Sequence, residues 1–287
     1  MEEHHKPVLL SEVLQVLDPQ PGEKYLDLTA GYAGHANAIL DVTRNYKDAV
    51  LVDRDDYAVS ILKEKYKSES VKIMHTDFYD ATLQLLQCGK TFDVILADFG
   101  VSSPQLDQAE RGFAFSLDGP LDMRMDRGQS VDAATIVNTY SEHDLTELFE
   151  KYGELSSGSA RKVARLIITA RKNRRLNKTA ELATLINRDK RAQVFQAIRI
   201  EVNQELALIE KTLPLLPKLL NHGGRVAIIT FHSLEDRLVK DYFDKMSHLG
   251  EESEFRLINK KPIIAERLEL VNNPRARSAK LRAAVKR

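Results

Sequence analysis

The chain of 287 residues has a single cysteine, Cys88, so it forms no internal disulfide, and one thiol suits a reducing compartment. Beside the Gly89-Lys90 turn, Cys88 reads as a buried small hydrophobe. No apolar run approaches the roughly 18 residues of a membrane span. The amino-terminal stretch lacks the pattern of a signal peptide, so a cytoplasmic protein that engages no membrane is expected. Net charge is absent as well: 42 basic residues balance 42 acidic ones, so total charge selects no partner. There is no internal repeat, no low-complexity segment and no dinucleotide fingerprint G-x-G-x-x-G. A hydrophobic share of 43% and a charged share of 29% are globular values, and the length allows one large domain or two.

Residues 24 to 53 organise what is there. Tyr25, Leu26 and Leu28 form a short apolar run suited to a buried parallel strand. Gly31 and Gly34 follow, then a helical pattern through Ala36, Ile39 and Leu40, then the apolar run 49–52 ending in Asp53. Strand, glycine turn, helix, strand and terminal acid make the first half of a nucleotide-binding βαβ unit. A carboxylate at the end of the second strand can accept both hydroxyls of a ribose. The loop reads G-x-x-G-H with Ala33 inside it, which suits a nucleoside without phosphates; S-adenosylmethionine is the common ligand of that kind.

At the amino terminus, His4 and His5 read as solvated histidines rather than metal ligands, and no metal centre is expected. Ser11 reads as the cap of a helix that Asp18-Pro19 stops. Beyond Asp53, a helix at 57–66, a strand at 71–75 and a strand at 92–98 are expected. Phe78 is placed to cover an adenine ring and Asp77 to bond its amino group; the competing reading is a core phenylalanine and a helix cap. Asp98 ends the fourth strand and opens the loop Phe99-Gly100-Val101, where ligands of open α/β sheets bind. Composition then splits. From Asp98 to Ser156 the net charge is −8, and from Arg161 to Arg191 it is +9. The basic block lies on a helical pattern with Val163, Leu166, Ile167 and Ala170, and is either a solvated face or a phosphate-contacting one. Residues 106–210 read as an inserted helical domain, with 1–105 and 211–287 forming the sheet domain around it. Strands are expected at 225–230, 255–264 and 279–285, the last two as a late antiparallel hairpin, with a helix over 235–246. The final 21 residues carry a net of +6, a second surface for phosphates.

These residues resemble the RsmH family, also called MraW. The resemblance runs through His5-x-Pro7-Val8-Leu9-Leu10, Gly31-x-x-Gly34-His35, Gly100-Val101-Ser102-Ser103-Pro104-Gln105-Leu106-Asp107 and Ala109-Glu110-Arg111-Gly112-Phe113. It continues in Asp118-Gly119-Pro120-Leu121-Asp122-Met123-Arg124-Met125, Phe195-Gln196-Ala197-x-Arg199-Ile200, Phe231-His232-Ser233-Leu234-Glu235-Asp236-Arg237 and Asn273-Pro274-Arg275-x-Arg277-Ser278. It implies a Rossmann-like class I methyltransferase sheet with an inserted all-helical domain. It implies a methyltransferase that uses S-adenosylmethionine on the exocyclic N4 of a cytidine in the decoding (P-site) region of 16S ribosomal RNA, within the small ribosomal subunit. It implies a cofactor site at Ala33, Gly34, His35, Asp53, Phe78, Asp98 and Gln105. The departures are Ala33 in place of a glycine, where one methyl would narrow the loop, and Leu155-Ser156 and the stretch before Phe195, which touch the details of RNA contact. A second copy of the chain is a further partner that the residues leave open.

The exocyclic amine of cytosine is conjugated with its ring and is a poor nucleophile, so the task is mostly positioning. Acceptors around the amine favour its developing positive charge, and Asp98 is the catalytic candidate. The target base must also be unstacked into the pocket. Two other classes compete. A nicotinamide dehydrogenase would show G-x-G-x-x-G. An RNA-binding protein without catalysis would use the basic blocks and ignore S-adenosylmethionine. The nearest enzymatic rival, a DNA amino-methyltransferase, usually carries a Pro-Pro-aromatic loop where this chain has Phe99-Gly100-Val101.

Overall fold

The structure, a computed structural model, describes residues 7–248, 250 and 253–287. It divides into two compact units, Met1–Gly100 with Leu206–Arg287 and Val101–Glu205. Both boundaries lie five residues before those read from the sequence. The reason is where the apolar side chains go. Ile209, with Leu206 packed beside it, belongs to a core of the sheet unit, whereas Val101 and Leu106 pack on the core of the helical unit.

The first unit is built on seven strands: β1 Tyr25–Asp27, β2 Val50–Asp53, β3 Lys72–His75, β4 Phe92–Asp98, β5 Leu220–Thr230, β6 Phe255–Leu257 and β7 Lys280–Lys286. Their order is β3-β2-β1-β4-β5-β7-β6. The first five are parallel, and β7 runs antiparallel to both β5 and β6. Helices cross between successive strands, at Gly34–Thr43, Asp56–Lys65 and Phe78–Gln87. Because side chains alternate along a strand, each strand feeds two cores. Tyr25, Leu51, Val94, Leu96 and Ile229 enter one; Leu26, Val50, Val52, Ile95 and Ile228 enter the other. Burial on both faces explains why these strands read as continuous apolar runs. The strand order reverses between β1 and β4, and at such a reversal a crevice opens outside the carboxyl ends.

Three local expectations are corrected. The first helix, Leu10–Leu17, is capped not by Ser11 but at Leu9, whose N–H donates to Glu269 Oε1 at 2.8 Å across 260 residues of sequence. The strand expected over 255–264 stops at Leu257, and only Ile263 returns to β7 as an isolated bridge. Cys88 is exposed rather than buried; it caps the helix Phe78–Gln87 at its end.

The second unit is helical: Ala133–Thr139, Glu142–Lys151, Ser157–Asn173, Thr179–Leu185 and Arg191–Asn203 surround a core that includes Ile136, Phe149, Ile167, Leu182 and Ile198. The segment 109–125, part of the family resemblance, threads this core and is held by polar bonds. The buried Asn203 side chain donates to Met123 O and accepts from Met125 N–H, and Arg111 donates to the carbonyls of Arg124 and Met125. Among the described residues no helix is long and apolar enough to cross a membrane.

Candidate functional site

Four acids gather at the carboxyl end of the sheet because three strands end in them and a fourth opens the helix after β5. Asp53 closes β2. Its Oδ2 accepts from Gly31 N–H and its Oδ1 from Asp55 N–H, each at 2.8 Å. One carboxylate thus ties the glycine loop to the next helix. Burial pushes its carboxyl up to about 6, against the pull of those two backbone donors. Each oxygen keeps a lone pair for a hydroxyl.

The loop before the helix Gly34–Thr43 turns at Ala33, with φ +65° and ψ +26°. This left-handed conformation disfavours a side chain. The Ala33 methyl is fully buried in the apolar cluster with Val8, Leu9 and Ala36. Gly34 opens the helix where Pro7 leaves no room, since a Cβ there would stand 2.9 Å from the proline ring.

His35 follows and is buried. Its Nε2 lies 2.9 Å from Val8 O, and a carbonyl can only accept, so Nε2 carries the proton. Its Nδ1 then faces Asp98 Oδ2 at 3.7 Å. Asp98, at the end of β4, is half-buried, and its Oδ1 is buried with no hydrogen-bond partner. Burial above all, then the charges of Asp27 and Glu235, hold its carboxyl well above the ordinary carboxylate range. The chain then turns at Gly100, φ +102°, where a Cβ would press on the Phe231 ring at 3.2 Å. The loop after β4 therefore lies against the loop after β5.

Sequence reasoning passed over two of these acids. Asp27, 1% exposed, accepts from Tyr25 OH at 2.7 Å and from Thr29 N–H at 3.1 Å. Burial pushes it up to about 7. The signal was present as an acid inside an apolar strand, next to a tyrosine. Glu235, fully buried, was quoted in a motif but given no role. Its Oε2 accepts from Phe231 N–H at 2.8 Å and His232 N–H at 3.3 Å, and His232 Nε2 lies 3.3 Å from its Oε1.

Of the two readings weighed for residues 77 and 78, the cap describes Asp77, which accepts from Tyr79 and Asp80 N–H. Phe78 is half-buried, with its ring centroid 5.2 Å from that of Phe99. Ala33, Gly34, His35, Asp53, Phe78 and Asp98 all belong to the sheet unit. Gln105 belongs to the helical unit, where its side-chain oxygen accepts from Ser102 N–H and closes the cap of the helix Ser103–Asp107. His4 and His5 lie outside the described residues.

These groups suit S-adenosylmethionine, the cofactor that the resemblance implies. An acceptor pair at Asp53 fits vicinal hydroxyls, an aromatic face at Phe78 fits an adenine, and the unpartnered Oδ1 of Asp98 fits a cation or an amine.

In the helical unit, Gly158, Arg161, Lys162, Arg165, Leu166 and Thr169 line an exposed stripe of the helix Ser157–Asn173. Leu166 is thus on the basic face; Ala160, Val163, Ala164 and Ile167 form the buried stripe. Among the described residues Arg161, Lys162, Lys172 and Arg175 have no ion-pair partner. Arg165 is paired with Glu142 and Arg174 with Glu181, and Arg171 donates to Val137 O.

Comparison with known proteins identifies the family. A family model described as the MraW methylase family matches residues 2–287. The chain is 41% identical over 313 residues to the Ribosomal RNA small subunit methyltransferase H of Clostridioides difficile, covering 100% of both chains. It is 44% identical over 291 residues to the protein of the same name from Cyanothece, covering 98% of this chain and 94% of that one. Among solved structures, TrmN from Thermus thermophilus is similar at a TM-score of 0.45 and 13% identity, over 97% of this chain and 48% of that one. With a family match that omits only the first residue and relatives aligned nearly end to end, the chain belongs to the MraW methylase family.

Proposed function

We propose that the protein transfers a methyl group from S-adenosylmethionine to the exocyclic N4 of a cytidine in the decoding (P-site) region of 16S ribosomal RNA, in the small ribosomal subunit. The observation that carries this reading is Asp98, a carboxylate at the end of β4 with one buried oxygen lacking any partner. Names of the relatives support the ribosomal RNA substrate. Asp53 accepts the ribose hydroxyls, Phe78 covers the adenine, and Ala33, Gly34 and His35 complete the sheet unit's part of the cofactor site.

Bound there, S-adenosylmethionine supplies an electrophilic methyl group on a cationic sulfonium. Asp98 accepts a hydrogen bond from the target amine and takes the proton that the nitrogen sheds as it becomes methylated. A carboxylate with raised proton affinity is the better acceptor for that step. His35 donates Nε2–H to Val8 O and turns its Nδ1 towards Asp98. The helical unit supplies cations to the phosphates around the target through Arg161, Lys162, Lys172 and Arg175.

The test uses the intact protein, S-adenosylmethionine and small ribosomal subunits lacking the modification. Mass mapping is expected to find one new N4-methylcytidine in the decoding region; a methyl group on another atom or another region overturns the assignment. In single turnover at saturating cofactor, Asp98→Asn should lower the rate about 100-fold, the scale of losing one electrostatic stabiliser. A rate within about threefold of the parent removes Asp98 from the chemistry.

A further inference from the structure

Within the helical unit, the loop 113–121 is tied to the segment 177–179. Thr179 Oγ1 donates to Leu117 O at 2.6 Å and accepts from Gly119 N–H at 3.0 Å. Thr179 N–H donates to Gly119 O at 2.9 Å, and Leu121 N–H donates to Asn177 O at 2.8 Å. Pro120 and Lys178 pair as an antiparallel bridge between them. A Cβ at Gly119 would stand 1.8 Å from Ala109 O, so the loop is packed too closely to shift. On this pinned backbone two large apolar side chains face water: Phe115 is 39% exposed and Leu117 36%. The Phe115 ring stands edge-to-face with the buried Phe195, centroids 5.6 Å apart and planes at 70°, which fixes its tilt. The segment to which the loop is tied is cationic. Residues 171–178 hold Arg171, Lys172, Arg174, Arg175 and Lys178 and no acid. Lys178 Nζ lies 3.6 Å from Asp118 Oδ2, which sets that cation at the tip of the loop. Arg175 is exposed three residues before it.

We infer that Phe115 is a stacking platform for an unpaired nucleotide of the RNA substrate, whose phosphates Arg175 and Lys178 hold. This rests on the RNA reading above and goes further, because cations alone contact phosphates and leave the bases untouched. The two halves of the surface match the two halves of a nucleotide: a fixed ring for a base and exposed cations for a phosphate. A base within a duplex is covered by its neighbours, so the occupant is single-stranded. A protein partner would call for a contiguous apolar patch of more than roughly a few hundred Å², and two side chains beside a basic segment do not form one. The Lys178–Asp118 pair is exposed on both sides, 59% and 52%, so exchanging its carboxylate for a phosphate costs little. Because the ring is held in place before RNA arrives, little further ordering is needed on binding.

The chain has no tryptophan, so Phe115→Trp in the full chain introduces a lone reporter whose emission a stacked base quenches. Single-stranded oligocytidylate should quench it saturably, whereas heparin, a polyanion without bases, should bind and leave it bright. Binding is also read by anisotropy of a labelled single-stranded RNA of about ten nucleotides. There Phe115→Leu, which keeps an apolar side chain but no ring, should weaken binding about tenfold and leave the salt slope unchanged. Phe115→Tyr should restore the affinity. Arg175→Gln with Lys178→Gln should instead lower the slope by about 1.4, at about 0.7 per phosphate contact. Equal quenching by heparin, or binding by Phe115→Leu within about twofold of the parent, overturns the stacking role and leaves the methyl-transfer reading standing. A loss seen with small ribosomal subunits but not with naked RNA marks a protein partner and overturns it as well. If Phe115→Leu disturbs the fold, the emission of Phe115→Trp still decides. Failure of the parent protein to bind any RNA overturns the substrate reading and this inference together.

Discussion

Replacing Asp27 by asparagine should stabilise the sheet unit, and by an amount that grows with pH. The carboxyl is 1% exposed and titrates at about 7 in place of the ordinary 3.8. For an acid, a folded value above the unfolded one means that the folded chain holds a proton the unfolded chain has lost. Stability therefore falls as pH rises between about 4 and 7, and the loss is complete above 7. The separation of about three units is worth about 4 kcal/mol. Asparagine keeps the size and the hydrogen bonds. Its oxygen accepts from Thr29 N–H, and its amide donates to the Tyr25 oxygen, which can reverse its role. No ionisation remains to oppose folding.

Urea unfolding, followed by tyrosine near-ultraviolet circular dichroism at pH 5, 6, 7 and 8, measures the gap. With a slope of about 3 kcal/mol per molar, the midpoint of the mutant should lie about 1.3 M above the parent at pH 8 and only about 0.5 M above it at pH 5. Against total stabilities of about 5–15 kcal/mol, a gain of this size is large. A gap that stays constant with pH, or a mutant less stable at pH 8, would refute the burial argument.

Asp53→Asn should lower S-adenosylmethionine affinity at least about tenfold, because the new amide meets the N–H of Gly31 or Asp55 where an oxygen accepted it, a mismatch of about 1–3 kcal/mol; unchanged affinity in calorimetry would remove Asp53 from the site. Replacing Arg161, Lys162, Lys172 and Arg175 together by glutamine should leave cofactor affinity alone and reduce the salt dependence of RNA binding by about three units of slope, at about 0.7 per lost phosphate contact. An identical slope would mark these side chains as a solvated face.

The parallel core was legible because burial on two faces writes itself as an apolar run. Phe92–Asp98 was read from end to end, and Asp53 and Asp98 stood out as acids terminating such runs. The parallel sheet and the late antiparallel strand likewise agree with expectation. What escaped depends on contacts made far along the chain. Leu9 is capped by Glu269, so the local signal at Ser11 misled. The unit boundary falls at Leu206 because that turn of helix joins the core of the sheet, a choice no local composition records. Asp27 was passed over inside the apolar run of Tyr25, Leu26 and Leu28; only its strand's pairing between β2 and β4 makes it a buried acid. On the basic helix, Leu166 fits the apolar spacing as well as Ala164 does, and the packing chose the alanine.

Ala33 illustrates why a departure from a family pattern is read in the structure rather than in the alignment of letters. A side chain in the left-handed region costs about 1–2 kcal/mol relative to the right-handed one. Two terms oppose that cost. Burying one methyl in an apolar cluster contributes about 0.8 kcal/mol, and alanine restricts the unfolded chain relative to glycine by about 0.4–1 kcal/mol. The sum is close to zero, so the substitution is tolerated without rearranging the loop. The N–H of Gly31 still reaches Asp53, and Ala33 N–H still closes its turn on Ala30 O at 2.8 Å. The methyl belongs to the core beside Ala36, in a turn of left-handed conformation. Glycine at this position is thus one solution to a left-handed turn, and a buried alanine is another of nearly equal free energy.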